Sequence, residues 1–262
     1  MTTFLVNAFP SWLLAIVIVA LCVIVALVAS RLLARAFRGH VRPDHSEVAG
    51  DVLQAWGAMY AVLLALVVIA LWDRRSEVDA HATEEAGFLI ATYRDVGGLP
   101  PKFAEDARAK IEAYAHAVID RSYPALRVGA PSDETRTTYG DMFTTILSFR
   151  PTDRHGEILY GEALRELNRS SEARTKRLAA VRGGLPPVFW AVLLVTTAIT
   201  LAGVGALQME TGRVRNAFVA GFATGVGSLI FLVVVLDRPF SGDLALPPDP
   251  YLEALDAMKA AR

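Results

Sequence analysis

The chain has 262 residues, a hydrophobic fraction of 53%, a mean hydropathy of +0.38 and a formal net charge of -1. Charged residues make up 20%, below the roughly 25% of an ordinary soluble domain, and the near-zero net charge gives no indication of a nucleic-acid partner. The single cysteine, Cys22, excludes an intramolecular disulfide and any cysteine-based metal cluster.

Four runs contain no charged side chain and are each about long enough to cross the roughly 30 Å hydrocarbon core of a bilayer as a helix: 12–30, 52–72, 188–208 and 217–236. Backbone groups in lipid need internal partners, so each run must be helical. Four buried helices of a soluble protein would instead carry polar residues on one face. The sequence therefore predicts an all-α integral membrane protein with transmembrane helices at 12–33, 52–72, 188–208 and 217–236.

The chain then divides into segments of different composition. These are an N-terminal tail (1–11), a transmembrane hairpin (12–72), a helical polar domain (73–187), a second transmembrane hairpin (188–236) and a C-terminal tail (237–262). An even number of spans places the polar domain and both tails on one side of the membrane. Basic residues near the membrane are enriched on the cytoplasmic side. The two short loops hold six arginines and the membrane-flanking parts of the polar domain hold six basic residues, so the count does not decide which side is cytoplasmic.

Within the polar domain, the spacing of apolar residues predicts only helices. The second span has no helix breaker before Gly97-Gly98, so we expect one helix from the membrane into the domain. An amphipathic helix follows from Phe103 to Val118, then a loop around 124–132. A shorter helix directs Tyr139, Met142, Phe143, Ile146 and Phe149 inward. A long helix after Pro151 buries Ile158, Leu164, Leu167 and Leu178.

No catalytic signature is present in the sequence, so we expect neither an enzyme nor a cofactor. The nearest approach to a metal site is a group of side chains on one stretch of helix: Glu77, His81, Glu84 and Glu85. Such a group could bind a metal, but a solvated face paired with Arg74 and Arg75 is the favoured interpretation.

The spans themselves contain no Asp, Glu, Lys, Arg or His. Proton relays, voltage sensors and most ion-coupled transporters need an ionisable group in the membrane, whereas a pore gated by apolar side chains does not. Small residues form two stripes that predict close helix packing: Gly50, Gly57, Ala61 and Ala65, and Gly221 with Gly225. Packing within one subunit is favoured, and packing between subunits is the alternative.

Several segments, in this order, resemble a bacterial membrane family of unestablished activity that is described as bestrophin-like. They are His45–Gly50 with Tyr60–Ala65 and Trp72, Glu84–Ala86 with Tyr93–Arg94, Arg182–Pro187 with Trp190, and Leu236–Asp243. The resemblance covers nearly the whole chain. It implies a multi-pass protein of the bacterial inner membrane.

A post-span motif follows the fourth span and is similar to a segment of true bestrophins, which are pentameric anion channels: Asp237, Arg238, Pro239, Phe240, Gly242 and Asp243. In bestrophins that segment opens an acidic calcium clasp. Here Asp243 and Asp249 alone remain of the clasp, too few for the roughly six to eight oxygens of a calcium site. The resemblance also implies that the polar domain is cytosolic.

Two functional hypotheses follow. The first is a homo-oligomeric channel in the lipid bilayer that passes small inorganic ions, most plausibly anions. Its second helix would line an apolar neck with Leu63 and Val67, opposite the small stripe. The alternative is a non-conducting scaffold or sensor whose helical domain binds a partner.

Overall fold

The computed structural model describes residues 6–36, 43–206 and 212–261. The predicted all-α class is confirmed, since the described ranges contain helices and turns and no strand. The elements are α1 (Ser11–Ala36), α2 (Pro43–Gly97), α3 (Pro101–Ala117), a π-helical turn (Val118–Ser122), α4 (Tyr123–Arg127), α5 (Asp133–Leu147), α6 (Arg154–Arg182), α7 (Pro187–Ala206), α8 (Gly212–Leu236) and α9 (Asp249–Ala260).

The four predicted transmembrane helices are present. Among the described residues, four helices are long and apolar enough to span a bilayer: Ser11–Leu33, Gly50–Gly97, Pro187–Val204 and Gly212–Leu236. They form a compact membrane unit made of Met1–Asp73 and Gly184–Asp237. In this unit α1 packs against α7 and α8. Its core combines side chains from all four helices, including Leu14, Ala26, Leu64, Leu71, Leu193, Leu201, Ala223 and Val233.

The second span continues without interruption into the polar part of the chain, as the sequence predicted, and α2 ends at Gly97. The end follows from local chemistry, because Gly98 lacks a side chain and Pro100 cannot donate a helical hydrogen bond.

A second, extramembrane unit consists of Arg74–Gly183 and Arg238–Arg262. In it α3 packs against α5, and the core includes Leu89, Ile111, Met142, Ile146 and Leu167. Ser132 and Asp153 cap α5 and α6 by accepting hydrogen bonds from backbone N–H groups of the first turn.

Two local predictions were wrong in this unit. Ile158 is 58% exposed rather than buried, because it lies on the solvent-facing side at the start of α6. The expected loop around 124–132 begins with the short helix α4, since Pro124 fits the first turn of a helix, where no N–H partner is needed.

The segment that follows the post-span motif forms α9. Its buried residues, Tyr251, Ala254, Leu255 and Met258, recur at helical spacing and belong to the extramembrane core. This segment is therefore part of the second unit, where it contacts α3 and the π-helical turn.

Candidate functional site

One face of α2 is left uncovered by the rest of the membrane unit. Five large apolar side chains recur there at spacings of seven, three, four and three residues, and each is at least 55% exposed: Val52, Met59, Val62, Leu66 and Ile69. This spacing places them on a single side of a helix. We call this set the uncovered face of α2.

The predicted neck residues border the uncovered face. Leu63 and Val67 are both half-buried, and Val67 packs against the core of the membrane unit. The opposite side of the helix is buried through Tyr60, Leu64 and Leu71. Leu63 and Val67 are thus adjacent in sequence to Val62 and Leu66 but turned partly toward their own subunit.

Two hydrogen bonds fix the rotation of α2 within the membrane unit. The Trp56 indole Nε1 donates to the Thr200 hydroxyl at 2.9 Å, and the hydroxyls of Tyr60 and Thr197 lie 2.7 Å apart. The two threonines are buried on α7. Hydrogen bonds between transmembrane helices contribute about 0.6 kcal/mol each, and two of them one turn apart oppose rotation of α2.

The glycines predicted to pack helices contact no other helix closely in the part of the chain that the structure describes. A methyl group built on Gly50, Gly57, Gly221 or Gly225 meets no atom within 4 Å. Ala61 and Ala65 are exposed as well. At these positions the favoured interpretation, packing within one subunit, fails among the described residues. The close approach occurs instead at Gly227, where such a methyl group would lie 2.9 Å from the Val19 Cα.

The post-span motif is built as a compact turn. Asp237 is buried at the end of α8, and its carboxylate accepts a hydrogen bond from the Leu185 backbone N–H at 2.6 Å. It therefore ties the end of the fourth span to the turn that starts the third. Arg238 is half-buried at the next position.

The remainder of the motif packs inside the extramembrane unit. Phe240 is 3% exposed and contacts the Tyr123 ring edge-on at 5.6 Å. Gly242 has a φ of +76°, which side chains rarely tolerate, and the Pro239 carbonyl accepts a bond from Leu246 at 2.8 Å. Asp243 is exposed.

A buried ion pair lies at the centre of the extramembrane unit. Glu85 on α2 and Arg177 on α6 both have side chains with no exposed surface, and Arg177 Nε lies 2.8 Å from a Glu85 carboxylate oxygen. Tyr114 donates a hydrogen bond to the same carboxylate. The Arg177 guanidinium also lies 5.5 Å from the Tyr251 ring centroid. Burial alone would lower the pKa of Arg177, but Glu85 keeps it well above the ordinary value.

The π-helical turn brings two further groups to this pair. It adds one residue to a helical turn, and turns of this kind are frequent where a helix must redirect side chains. Ser122 is buried with its hydroxyl 3.5 Å from Arg177 Nη1, and the Tyr123 ring centroid is 6.0 Å from the guanidinium carbon. The pair, formed between α2 and α6, therefore has polar and aromatic neighbours from α3, the π-helical turn, α4 and α9.

The solvated face predicted for the α2 carboxylates is wrong for Glu85, which is buried and pairs with Arg177 because its side of α2 faces the core. Glu77 and Glu84 are exposed, so Glu85 does not share a site with them. His81 pairs with Glu84 at 3.0 Å on the solvated side. In the described part of the chain, no three His, Cys, Asp or Glu side chains come together as metal ligands. Asp243 and Asp249 are both exposed.

Comparison with known proteins gives the family. The profile of the bestrophin-like domain matches residues 16–251. This chain belongs to the bestrophin-like family. Among curated proteins, none shows significant sequence similarity to it.

The bestrophin-like fold is shared with solved structures of a bacterial bestrophin homologue from Klebsiella pneumoniae. One is 14% identical, covers 94% of this chain and 97% of that chain, and has a TM-score of 0.69. A single-substitution variant of the same protein is 13% identical, with coverages of 93% and 96% and a TM-score of 0.72. At this identity the likeness establishes the fold. The resemblance inferred from the sequence is thereby confirmed.

The tyrosines around the ion pair should make stability fall at high pH. Burial raises the pKa of Tyr123 to about 12 and those of Tyr114 and Tyr251 well above the ordinary value, although the Arg177 charge acts in the opposite direction. The folded state then holds these protons more tightly than the unfolded state, so stability is full below about pH 10 and falls as pH rises further. For Tyr123 alone the loss reaches about 2 kcal/mol near pH 12.

We expect phenolate absorbance to rise in two steps, the second coinciding with loss of helical circular dichroism. Tyr123→Phe should reduce the amplitude of that second step. Ionisation of every tyrosine in one step, with the helices intact, would contradict the assignment.

Proposed function

We propose that the protein assembles as a homo-oligomer around an axis and conducts small inorganic anions through a neck lined by α2. The observation that carries this proposal is the uncovered face of α2 on a helix whose rotation is fixed by Trp56 and Tyr60. Membership in the bestrophin-like family supports a channel-like membrane protein and a location in the bacterial inner membrane.

An apolar neck is consistent with the chemistry of the spans. With no Asp, Glu, Lys, Arg or His in the four uncharged runs, ions would pass a hydrophobic constriction rather than a charged binding site. Val62 and Leu66 would project farthest into such a neck. Leu63 and Val67, the pair predicted from the sequence, would border it.

The small residues supply a contact between subunits. Gly57, Ala61 and Ala65 lie on α2 and Gly221 and Gly225 on α8, and a methyl group built on any of the three glycines would meet no described atom within 4 Å. Helix association in lipid depends on such close backbone approach. We propose that these stripes pack against other copies of the chain.

Cysteine substitution on α2 tests the proposed lining. In a Cys22→Ser background, we expect a charged thiol reagent to change single-channel conductance severalfold at Val62→Cys and Leu66→Cys. Leu64→Cys, on the buried side, is the matched control and should not respond. Stronger effects at Leu63→Cys and Val67→Cys would shift the axis to the pair predicted from sequence.

The absence of conductance from purified wild-type oligomer, across chloride and sodium gradients in planar bilayers, would contradict the channel proposal. The reversal potential in the same recordings decides between anions and cations.

A scaffold or sensor is the second candidate, favoured by apolar side chains that the extramembrane unit leaves exposed. Val128 is 70% exposed, Ile158 58% and Leu147 44%, beyond what the core of this unit requires. Light scattering of the detergent-purified particle, corrected for bound detergent, separates the two functions. A pentamer favours the pore, whereas a monomer has no room for a central pathway and favours the scaffold.

A further inference from the structure

Four arginines lie at one end of the membrane unit: Arg31, Arg35, Arg213 and Arg215. Arg31 and Arg35 belong to the last turns of α1, and Arg213 and Arg215 to the first turn of α8. Consecutive spans alternate in direction, so the first and fourth run antiparallel. The end of α1 and the start of α8 therefore face the same side of the membrane.

Helix geometry places two of these arginines level with each other. The close contact between Gly227 and Val19 fixes the register of α8 against α1. Arg215 lies 12 residues before Gly227 (227 − 215) and Arg31 lies 12 residues after Val19 (31 − 19). At 1.5 Å per residue both are roughly 18 Å from the contact, in the same direction.

On α8, Arg213 lies about half a turn farther outward than Arg215. On α1, Arg35 lies about one turn farther outward than Arg31. All four residues are therefore near the boundary of the hydrocarbon core, where lipid headgroups begin.

The cluster has unused hydrogen-bond donors. Among the side chains that the structure describes, no Asp or Glu forms an ion pair with these four arginines. The Nε of Arg215 is buried and has no hydrogen-bond partner. Immediately before Arg31, Ser30 is fully buried and its hydroxyl is unpartnered as well. Buried donors of this kind ordinarily have an acceptor.

Exposed apolar side chains accompany the arginines on both helices. Val28 and Leu32 on α1 are 45% and 59% exposed, and Val214 and Phe218 on α8 are 48% and 64% exposed. An anionic acceptor bound here would have hydrocarbon surface directly beneath it. That combination fits a phospholipid, whose phosphate would meet the guanidinium groups while its acyl chains follow the apolar side chains.

We infer that this end of the membrane unit is a binding site for anionic phospholipid headgroups, formed by Arg31, Arg35, Arg213 and Arg215. Lipid binding at these arginines does not require that the protein conducts ions. A basic residue near an anionic surface contributes roughly a factor of five in affinity, so removal of two should weaken binding about twenty-five-fold.

The test uses the full chain in nanodiscs of phosphatidylcholine, with and without phosphatidylglycerol. We expect phosphatidylglycerol to raise the melting temperature of the wild type and to remain bound in native mass spectrometry. Both effects should be lost in the double variant Arg213→Gln/Arg215→Gln. Arg165→Gln, an exposed arginine of the extramembrane unit, is the matched control and should keep both.

A second variant separates charge from folding. Arg213→Lys/Arg215→Lys retains the positive charges and should retain most of the phosphatidylglycerol that the wild type binds. Equal phosphatidylglycerol binding by the wild type and the glutamine variant would overturn the site. Inorganic phosphate distinguishes a lipid from a free anion. If phosphate alone stabilises the detergent-purified protein as much as phosphatidylglycerol does, the lipid assignment is overturned and free phosphate is the ligand.

Discussion

Glu85→Gln is expected to destabilise the extramembrane unit by about 3–5 kcal/mol, because it leaves the Arg177 guanidinium charged, buried and unpaired. Tyr114 would also lose the carboxylate to which it donates. The expected measurement is a fall of roughly 10 °C in the melting temperature of the full chain in mild detergent, followed by intrinsic fluorescence. Arg177→Met should give a similar loss, since it leaves the carboxylate unpaired instead.

The surface pair formed by Glu162 and Arg165 provides the matched control. Both side chains are on α6 and roughly half-exposed, so Glu162→Gln should change stability by less than about 1 kcal/mol. The double variant Glu85→Met/Arg177→Met should recover part of the lost stability, because apolar replacement of a buried ion pair removes both unpaired charges. Single and double variants that lose equal stability would show that packing, not charge pairing, dominates at this position.

The membrane-spanning elements were predictable because hydrocarbon imposes a simple demand on the sequence. A stretch such as 217–236, about 20 residues without a charge, has few structural alternatives. The continuity of α2 was predictable for a related reason, since no proline or paired glycine interrupts it before Gly97-Gly98. Element boundaries differ from prediction by a few residues, where helix ends depend on local caps.

The ion pair was not predicted from the sequence. The sequence pattern favours a solvated face for Glu85, although the flanking Ala82 and Leu89 are buried on the same side of α2. Its partner could not be found from that pattern, because Arg177 is 92 residues away and the pairing depends on how α6 packs. The π-helical turn at Val118–Ser122 likewise has no sequence signature that distinguishes it from a continuing α-helix.

The stripes of small residues show a different limit. A glycine permits a close helix approach but does not specify which helix approaches. Gly221, Gly225 and Gly227 lie within two turns of α8, yet within the described chain only Gly227 contacts another helix closely. The distinction depends on the rotation of α8 against α1, which the sequence of either helix alone does not define.

Gly227→Leu is therefore expected to disrupt the membrane unit, whereas Gly225→Leu should leave the fold of the subunit intact. At Gly227 even the first added carbon would lie 2.9 Å from the Val19 Cα, a backbone atom that can move only if α1 separates from α8. Overpacking of this kind costs about 3 kcal/mol or more for a side chain as large as leucine. At Gly225 a side chain meets open space, and leucine has the better helix propensity.

Melting temperature and particle mass, measured on the same two variants, separate packing within the subunit from packing between subunits. Gly227→Leu should lower the melting temperature whatever the oligomeric state. If the Gly221–Gly225 stripe contacts another copy of the chain, Gly225→Leu should reduce the particle mass while the helical content stays unchanged. If the Gly225→Leu particle keeps the mass and stability of the wild type, α8 does not form the contact between subunits. The small stripe of α2 would then be the remaining candidate for that contact.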